Sequence, residues 1–389
     1  MRFINSIGAA AAAVAVVASP IERAENNIVL PLKHVSTVKS IKGIVDRGLA
    51  RIQKFNGVKT LESNDASSGP VTNEDESYVA PVSIGGKIYE LIVDTGSSNT
   101  WTGARSEYSP GSTGNATGGT VSVGYGSGRF SGLEYTDTVS FGGLTVNSQS
   151  FGAATSSSGF SGVDGIIGFG PVDLTEGTVS NANTVPTFLN NLYQQGSIST
   201  EVLGVSFRPE SGGDSDDTNG ELTLGGTDSS KYTGSITYVP TAKTGAVAPY
   251  WGISIAGFTY GSTTLASSGS GIVDTGTTLI YVPTNVYNEF LSAAGGETDS
   301  SSRLASFSSK PTGNFGIKIG STTFTLTPSQ YLIPTAQYSF YGLSPGKYYS
   351  WIFNGGSSGV DTIIGQKFLE NYYSVFDTTN ARIGFAAAV

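Results

Sequence analysis

Two aspartates stand in the same local sequence. Leu91-Ile92-Val93 delivers Asp94 into Thr95-Gly96, with Ser97 next. In the second copy, 180 residues on, Gly271-Ile272-Val273 delivers Asp274 into Thr275-Gly276, with Thr277 next. One such Asp-Thr-Gly after an apolar run is only a turn signal. Two copies with matching hydroxyl residues point to two carboxylates held in equivalent settings. Carboxylates a few ångströms apart cannot both ionise cheaply, so they share a proton over a span of acid pH. One can then accept a proton from water while the other donates one to a carbonyl. Water is the nucleophile, and no covalent intermediate is needed. Asp94 and Asp274 act as one unit, so the proton belongs to neither alone.

Composition removes the competing chemistries. The chain has no cysteine, which excludes disulfides, thiolate nucleophiles and Cys-ligated metals together. Its single histidine is His34, near the N-terminus. A Ser-His-Asp triad and a His-Glu-x-x-His zinc site are therefore both out of reach. No metal and no cofactor is expected. The net charge of −9 gives no nucleic-acid footprint.

The elements that must position the pair read as short strands. Few charges, 53 glycines and many Ser, Thr and aromatic residues predict an all-β protein. Strands are expected at 78–84, 87–93, 120–125, 130–139, 144–152, 203–207, 221–224, 235–240, 251–258, 271–274, 315–319, 322–326 and 374–377. Helices are expected at 185–195, with Pro186 in its first turn, and at 285–293. Tracts 109–119, 211–220 and 295–309 read as surface loops. A second repeat supports the first. Val163-Asp164-Gly165-Ile166-Ile167-Gly168 is matched by Val360-Asp361-Thr362-Ile363-Ile364-Gly365, each after its own Asp-Thr-Gly. Two similar lobes, each donating one aspartate to a shared centre, would produce this order.

The N-terminus has a different character. Residues 1–18 carry Arg2, an apolar Ala/Val run and a small residue near Ala18, the pattern of a signal peptide. The run is too short to span a bilayer comfortably. Residues 19–65 hold eight basic and five acidic residues, against 12 basic and 25 acidic from Ala66 onward. Val38, Ile41, Val45, Leu49 and Ile52 recur at helical spacing. A basic, partly helical arm before an acidic body reads as a propeptide; a disordered extension is the other reading. The body would then divide into lobes at 66–240 and 241–389.

From about residue 70 to 389 the chain resembles the pepsin-like aspartic proteases. The likeness is carried by Val93–Trp101, Tyr125-Gly126-Ser127-Gly128, Asp164–Gly168, Gly220–Pro240, Tyr250-Trp251, Val273–Thr278 and Ile363–Phe385. With no disulfides and with Ser127 after Tyr-Gly, it is most like the secreted basidiomycete enzymes of the polyporopepsin type. The resemblance implies a bilobal fold with a few short helices and a monomeric enzyme acting on polypeptides. It also implies inhibition by statine compounds. Ser97 and Thr277 would donate to the outer carboxylate oxygens. Thr95 and Thr275 would lock the two loops, and Gly96 and Gly276 would let them approach and donate N–H groups. Ile167-Gly168 and Ile364-Gly365 would back the loops. Tyr125 would sit on a flap and hydrogen-bond the indole N–H of Trp101. A lysine of the arm, Lys54 or Lys59, would cap the pair.

The same likeness gives substrate expectations. Ile92, Tyr125, Phe160 and Ile167 would line an apolar cleft, with Tyr250 also contacting substrate. Ser127 offers no charge to a substrate lysine, so cleavage after lysine should be poor. Ser156-Ser157-Ser158-Gly159 would make the pocket wider and wetter than pepsin's. Asn115-Ala116-Thr117 is an acceptor sequon in what reads as a loop. Export to the extracellular space is expected, rather than to a vacuole, with no membrane anchor. A catalytically inactive homologue that binds peptides or proteins is the alternative function. Such relatives typically lose an aspartate or an adjoining glycine, and this chain keeps both.

Overall fold

The structure, a computed structural model, describes residues 28–36, 40–57, 76–126, 128–210, 219–266 and 268–389. The signal-peptide segment, Val38, Lys59, the expected end of the arm and Ser127 lie outside these residues. Short strands dominate, as glycine-punctuated β-branched and aromatic runs dictate.

Each half builds the same unit around its aspartate. Strand Lys87–Asp94 runs parallel to Gly165–Gly168, with Val93 opposite Ile167 and Asp94 opposite Gly168. Trp101–Thr102 pairs antiparallel on the other side of Gly165–Gly168. In the second half, Gly269–Val273 runs parallel to Ile363–Ile364, and Ile280–Val282 pairs antiparallel beyond it. The two sequence repeats are thus a repeat of topology, and the fold is bilobal.

The halves share one sheet. From one edge its order begins Tyr232–Pro240, Arg382–Ala388, Tyr372–Asp377, Val202–Ser206, Gly220–Leu224, Ile28–Ser36, Glu76–Ile84 and continues through Lys87–Asp94. The chain's last strands therefore lie beside strands of the first half. Leu203, Leu222, Phe376, Ile383 and Phe385 are fully buried there. The Trp251 indole donates to the Phe169 carbonyl at 2.9 Å, adding a hydrogen bond between the halves.

The N-terminal segment is integrated into this body. Ile28–Ser36 inserts between Gly220–Leu224 and Glu76–Ile84, pairing Leu30 with Leu222 and Lys33 with Val79. Leu30, Leu32 and His34 face in while Val29, Pro31 and Lys33 face out, the period of a half-buried strand. His34 Nδ1 lies 3.2 Å from Glu210 Oε1, with its ring edge-on to Tyr78. Helix Ile41–Phe55 follows, burying Ile41, Ile44, Val45, Gly48, Arg51, Ile52 and Phe55. The expected stripe is present, although Leu49 is only half-buried.

Three expectations need correction. The helix expected from Val185 starts at Phe188, because Thr187 forms a reciprocal capping box with Asn190, so Pro186 precedes the cap. Residues 115–119 belong to strand Asn115–Gly124, not to a loop. The tract 295–309 contains the paired strands Gly296–Thr298 and Ala305–Phe307. In both tracts small polar residues masked strands whose pairing is set by neighbours distant in sequence.

Candidate active site

The apolar runs before the aspartates are buried strand ends, so each Asp emerges from a packed layer into a turn. Val93 and Val273 are 0% and 1% exposed, and both aspartates are fully buried. The Ile-Ile-Gly repeats explain how the turns are supported. A Cβ on Gly168 would sit 2.5 Å from the Ser98 carbonyl carbon, and one on Gly365 would sit 2.5 Å from the Thr277 carbonyl oxygen. Only glycine lets each backing strand lie directly under its loop. Backbone bonds complete the support: Gly170 N–H to Ser97 O at 2.8 Å and Gln366 N–H to Thr277 O at 2.7 Å.

The loops are tied to each other by reciprocal bonds. Thr95 N–H donates to Thr275 Oγ1 at 2.9 Å, and Thr275 N–H to Thr95 Oγ1 at 3.0 Å. Each hydroxyl then donates onward, Thr95 to Val273 O at 3.3 Å and Thr275 to Val93 O at 3.0 Å. Each threonine hydroxyl thus both accepts and donates, leaving no buried polar group open at the junction.

The carboxylates are oriented symmetrically. Asp94 accepts from Gly96 N–H at 3.0 Å and Ser97 Oγ at 2.5 Å. Asp274 accepts from Gly276 N–H at 2.9 Å and Thr277 Oγ1 at 2.6 Å.

A cation that sequence reasoning assigned to the wrong residue bridges them. Arg51 Nη2 donates to Asp94 Oδ1 at 2.5 Å and to Asp274 Oδ1 at 2.9 Å, and its Nε donates to Asp274 Oδ2 at 2.6 Å. Lys54, one turn along the helix, instead places its Nζ 4.7 Å from the centre of the Tyr125 ring. The signal was a charged residue on the apolar stripe, one helical turn after Gly48. An arginine satisfies two carboxylates there through a planar fork, which an ammonium cannot match.

Electrostatics follow from burial and this cation. Burial pushes Asp94 upward, but Arg51, Ser97 and Gly96 outweigh it and hold the carboxyl below its usual range. Burial also raises Asp274, where the charge of Asp94 opposes ionisation, and the carboxyl stays above its usual range despite Arg51. Burial works against the Arg51 charge, yet Asp274 and Asp94 hold its pKa above the ordinary value. Burial, with Arg51 nearby, depresses Lys54 to about 8.

The remaining expected residues divide. Ile92 and Phe160 line the cavity beside Asp94, Gly276 and Thr277. Ile167 does not: it packs with Val93 in the lobe core, and Ile166 takes the cleft position. Ile166 sits opposite Ile92 in parallel register, so period-two alternation sends both to the cleft. Tyr125 closes the turn between strands Asn115–Gly124 and Arg129–Phe141, its N–H donating to Gly128 O at 2.6 Å. Its ring lies 6.3 Å from that of Trp101 and edge-on to Phe160 at 5.4 Å. The Trp101 indole N–H faces the buried Tyr125 hydroxyl, and this contact opposes the rise that burial gives the hydroxyl's pKa. Helix Ile41–Phe55 fills the space under this hairpin, and a Cβ on Gly126 would collide with Arg51 Cα. Tyr250 packs edge-on to Phe55 at 4.7 Å, so it too meets the arm. Ser156 and Ser158 are exposed, and Ser157 is half-buried.

The chain is similar to known proteins in sequence and in structure. The sequence profile of the family described as "Eukaryotic aspartyl protease" matches residues 77–388. Polyporopepsin of Irpex lacteus is 47% identical over 332 residues, covering 82% of this chain and 97% of that protein. Pepsin A of Sus scrofa is 31% identical over 339 residues, covering 80% and 81%. The crystal structure of the aspartic proteinase from Irpex lacteus superposes with a TM-score of 0.78 at 40% identity, covering 93% of this chain and 98% of that one. The chain belongs to the eukaryotic aspartyl protease family, the pepsin-like aspartic endopeptidases.

Proposed function

We propose that this chain is an exported, acid-active endopeptidase made as a zymogen, with Asp94 and Asp274 as its catalytic pair. The observation that carries the reading is the symmetric carboxylate pair with one guanidinium across it. Two buried acids, each with a matched hydroxyl and N–H donor, form one proton-sharing unit. With the arm gone, one carboxylate takes a proton from the attacking water as the other protonates the substrate carbonyl oxygen. The tetrahedral species then collapses as the leaving amine is protonated, and the shared proton returns to the pair.

In this reading residues 1–18 direct export to the extracellular space, 19–65 form the inhibitory arm, and 66–240 and 241–389 are the catalytic lobes. The arm fills the cleft and caps the pair through Arg51, so substrate cannot enter. Ile92, Phe160, Ile166 and Tyr125 favour large apolar side chains beside the cut. Lysine is disfavoured because it must shed its water without gaining a partner charge. The test is hydrolysis of denatured haemoglobin or casein across acid pH, with and without a statine compound. Acid-dependent cleavage blocked by the statine supports the reading. Activity that ignores statines, or that yields to chelators or serine reagents, overturns it.

A further inference from the structure

The outermost strand of the large sheet carries a motif that the proposed function leaves unused. Asn115-Ala116-Thr117 is the one Asn-x-Ser/Thr sequon in the 389 residues. It opens strand Asn115–Gly124, which pairs with Arg129–Phe141 on one side and ends the sheet on the other. That edge is covered along part of its length. Val121 faces Val179 in an isolated bridge, Ser180 N–H donates to Thr120 O at 2.9 Å, and Ser122 N–H donates to Thr178 O at 3.0 Å. Asn181 Nδ2 extends the cover to Thr117 O at 3.0 Å. Nothing among the described residues covers Asn115 or Ala116 in this way. The sequon therefore marks the bare end of the edge.

Exposure and bonding at Asn115 fit a bulky substituent. Asn115, Ala116, Thr117 and Gly118 are all exposed, and so is the tract 109–113 before them. Asn115 Nδ2 has two hydrogens, and one donates to Thr113 O at 3.0 Å. A sugar joined at Nδ2 replaces the other hydrogen and leaves this bond intact. Thr117 Oγ1, by contrast, is occupied in the fold. It donates to Glu134 O at 2.9 Å and accepts from Gly119 N–H at 3.1 Å. A transferase that reads this hydroxyl reaches it only before strand Arg129–Phe141 docks, so attachment belongs to the emerging chain. The position is also remote from the cleft. Asn115 pairs with Thr136 and Gly124 with Arg129, so seven residues of the partner strand, about 23 Å, separate the sequon from the turn at Tyr125.

We propose that Asn115 carries an N-linked glycan, attached during export, and that this glycan covers the open end of the sheet edge against pairing with a second chain. The proposal rests on the export reading above. The step is a glycosyl transfer from an oligosaccharide linked through its anomeric carbon to a lipid diphosphate. Nδ2 forms a bond to that carbon, and the bond from carbon to the diphosphate oxygen breaks. The lipid diphosphate leaves, Nδ2 gives up one proton, and nothing is oxidised or reduced.

The experiment expresses the full chain in a eukaryotic secretory host. The exported protein is weighed by mass spectrometry before and after peptide N-glycosidase, which leaves aspartate at each asparagine it strips. A single glycan is expected, with aspartate found at position 115 after its removal. Asn115→Gln should be exported with no glycan and should cleave peptides at the wild-type rate. Thr117→Ser should keep the glycan and Thr117→Ala should lose it. At neutral pH, light scattering should show stripped wild-type protein and Asn115→Gln associating at lower concentration than the glycosylated protein. Exported wild-type protein with a bare Asn115 overturns the proposal. Equal association of the stripped and glycosylated forms overturns the role at the edge. A chain that is never exported overturns the export reading instead. Residues 19–389 behind the host's own signal sequence then still decide whether Asn115 is modified, and a bare Asn115 there overturns the proposal by itself.

Discussion

The symmetric donor sets around Asp94 and Asp274 tie each residue to a measurable loss. In the proposed function, Asp94→Asn and Asp274→Asn each break a single proton-sharing unit. Either variant should lose about 10⁴-fold in kcat, the scale seen when one member of a unit-acting catalytic group is neutralised. Single-turnover assays on a fluorogenic peptide would read this. Thr95→Ala should act on stability. It leaves Thr275 N–H without its acceptor and Val273 O without its donor, at about 1–3 kcal/mol for buried groups. Urea unfolding would measure it, and Thr95→Ser should recover most of the loss. The carboxylates and their loop donors were legible because a doubled pattern encodes them within a few residues. Arg51 was not, because the choice among the arm's cations depends on which helix face docks. Ile166 was missed in favour of Ile167 for a similar reason. Facing is fixed by register with Lys87–Asp94, and a one-residue offset reverses it.

The arm helix shows how an element can be selected for fit against its own propensity. Gly48 sits in the middle of Ile41–Phe55, where alanine would favour the helix by about 1 kcal/mol. A Cβ there would stand 1.6 Å from the Tyr281 hydroxyl, itself buried beneath the helix. The collision outweighs the propensity gain. Gly48→Ala should therefore weaken docking and let the full chain process itself at higher pH. In the proposed zymogen reading, docking also carries the pH response. Arg51 lowers the pKa of both Asp94 and Asp274 in the docked form, so the ionised pair stabilises docking. That contribution is lost as pH falls through the lowered values. A titration of processing against pH, followed by gel, should show latency near neutrality and arm release in acid. Latency that persists at pH 2–3 would contradict this assignment. The helical stripe was readable from spacing, but the strand Ile28–Ser36 was not. Its four or five alternating positions gain their meaning only between the two strands that flank it.

At the scale of the whole molecule, the twofold repeat was readable because each lobe writes its own Asp-Thr-Gly and Ile-Ile-Gly. The strands at 296–298 and 305–307 were hidden because their pairing partners give them order that local composition does not. Charge distribution is also a whole-molecule property. From Ala66 onward acids outnumber bases by 25 to 12, and several carboxyls are tuned toward the protonated form. Burial raises Glu201 and Asp361, and it pushes Glu134 up to about 7. Glu134 lies 2% exposed in strand Arg129–Phe141, with Ser150 Oγ donating to one oxygen at 2.5 Å. Its other oxygen has no partner among the described residues. Because its folded pKa exceeds the unfolded one, the native state binds more protons between the two values. Stability is therefore fully present below about pH 4.5 and falls as pH rises toward 7. The loss at neutrality is about 3 kcal/mol from this group alone. Glu134→Gln removes the ionisation while keeping the shape. It should be more stable than wild type near pH 7 and no more stable near pH 4, where wild-type Glu134 is already neutral. Chemical denaturation of the full chain at both pH values, with Asp94→Asn in both proteins to prevent self-digestion, would measure the difference. Equal stabilisation at both pH values would show that the side chain acts through packing and not through its charge.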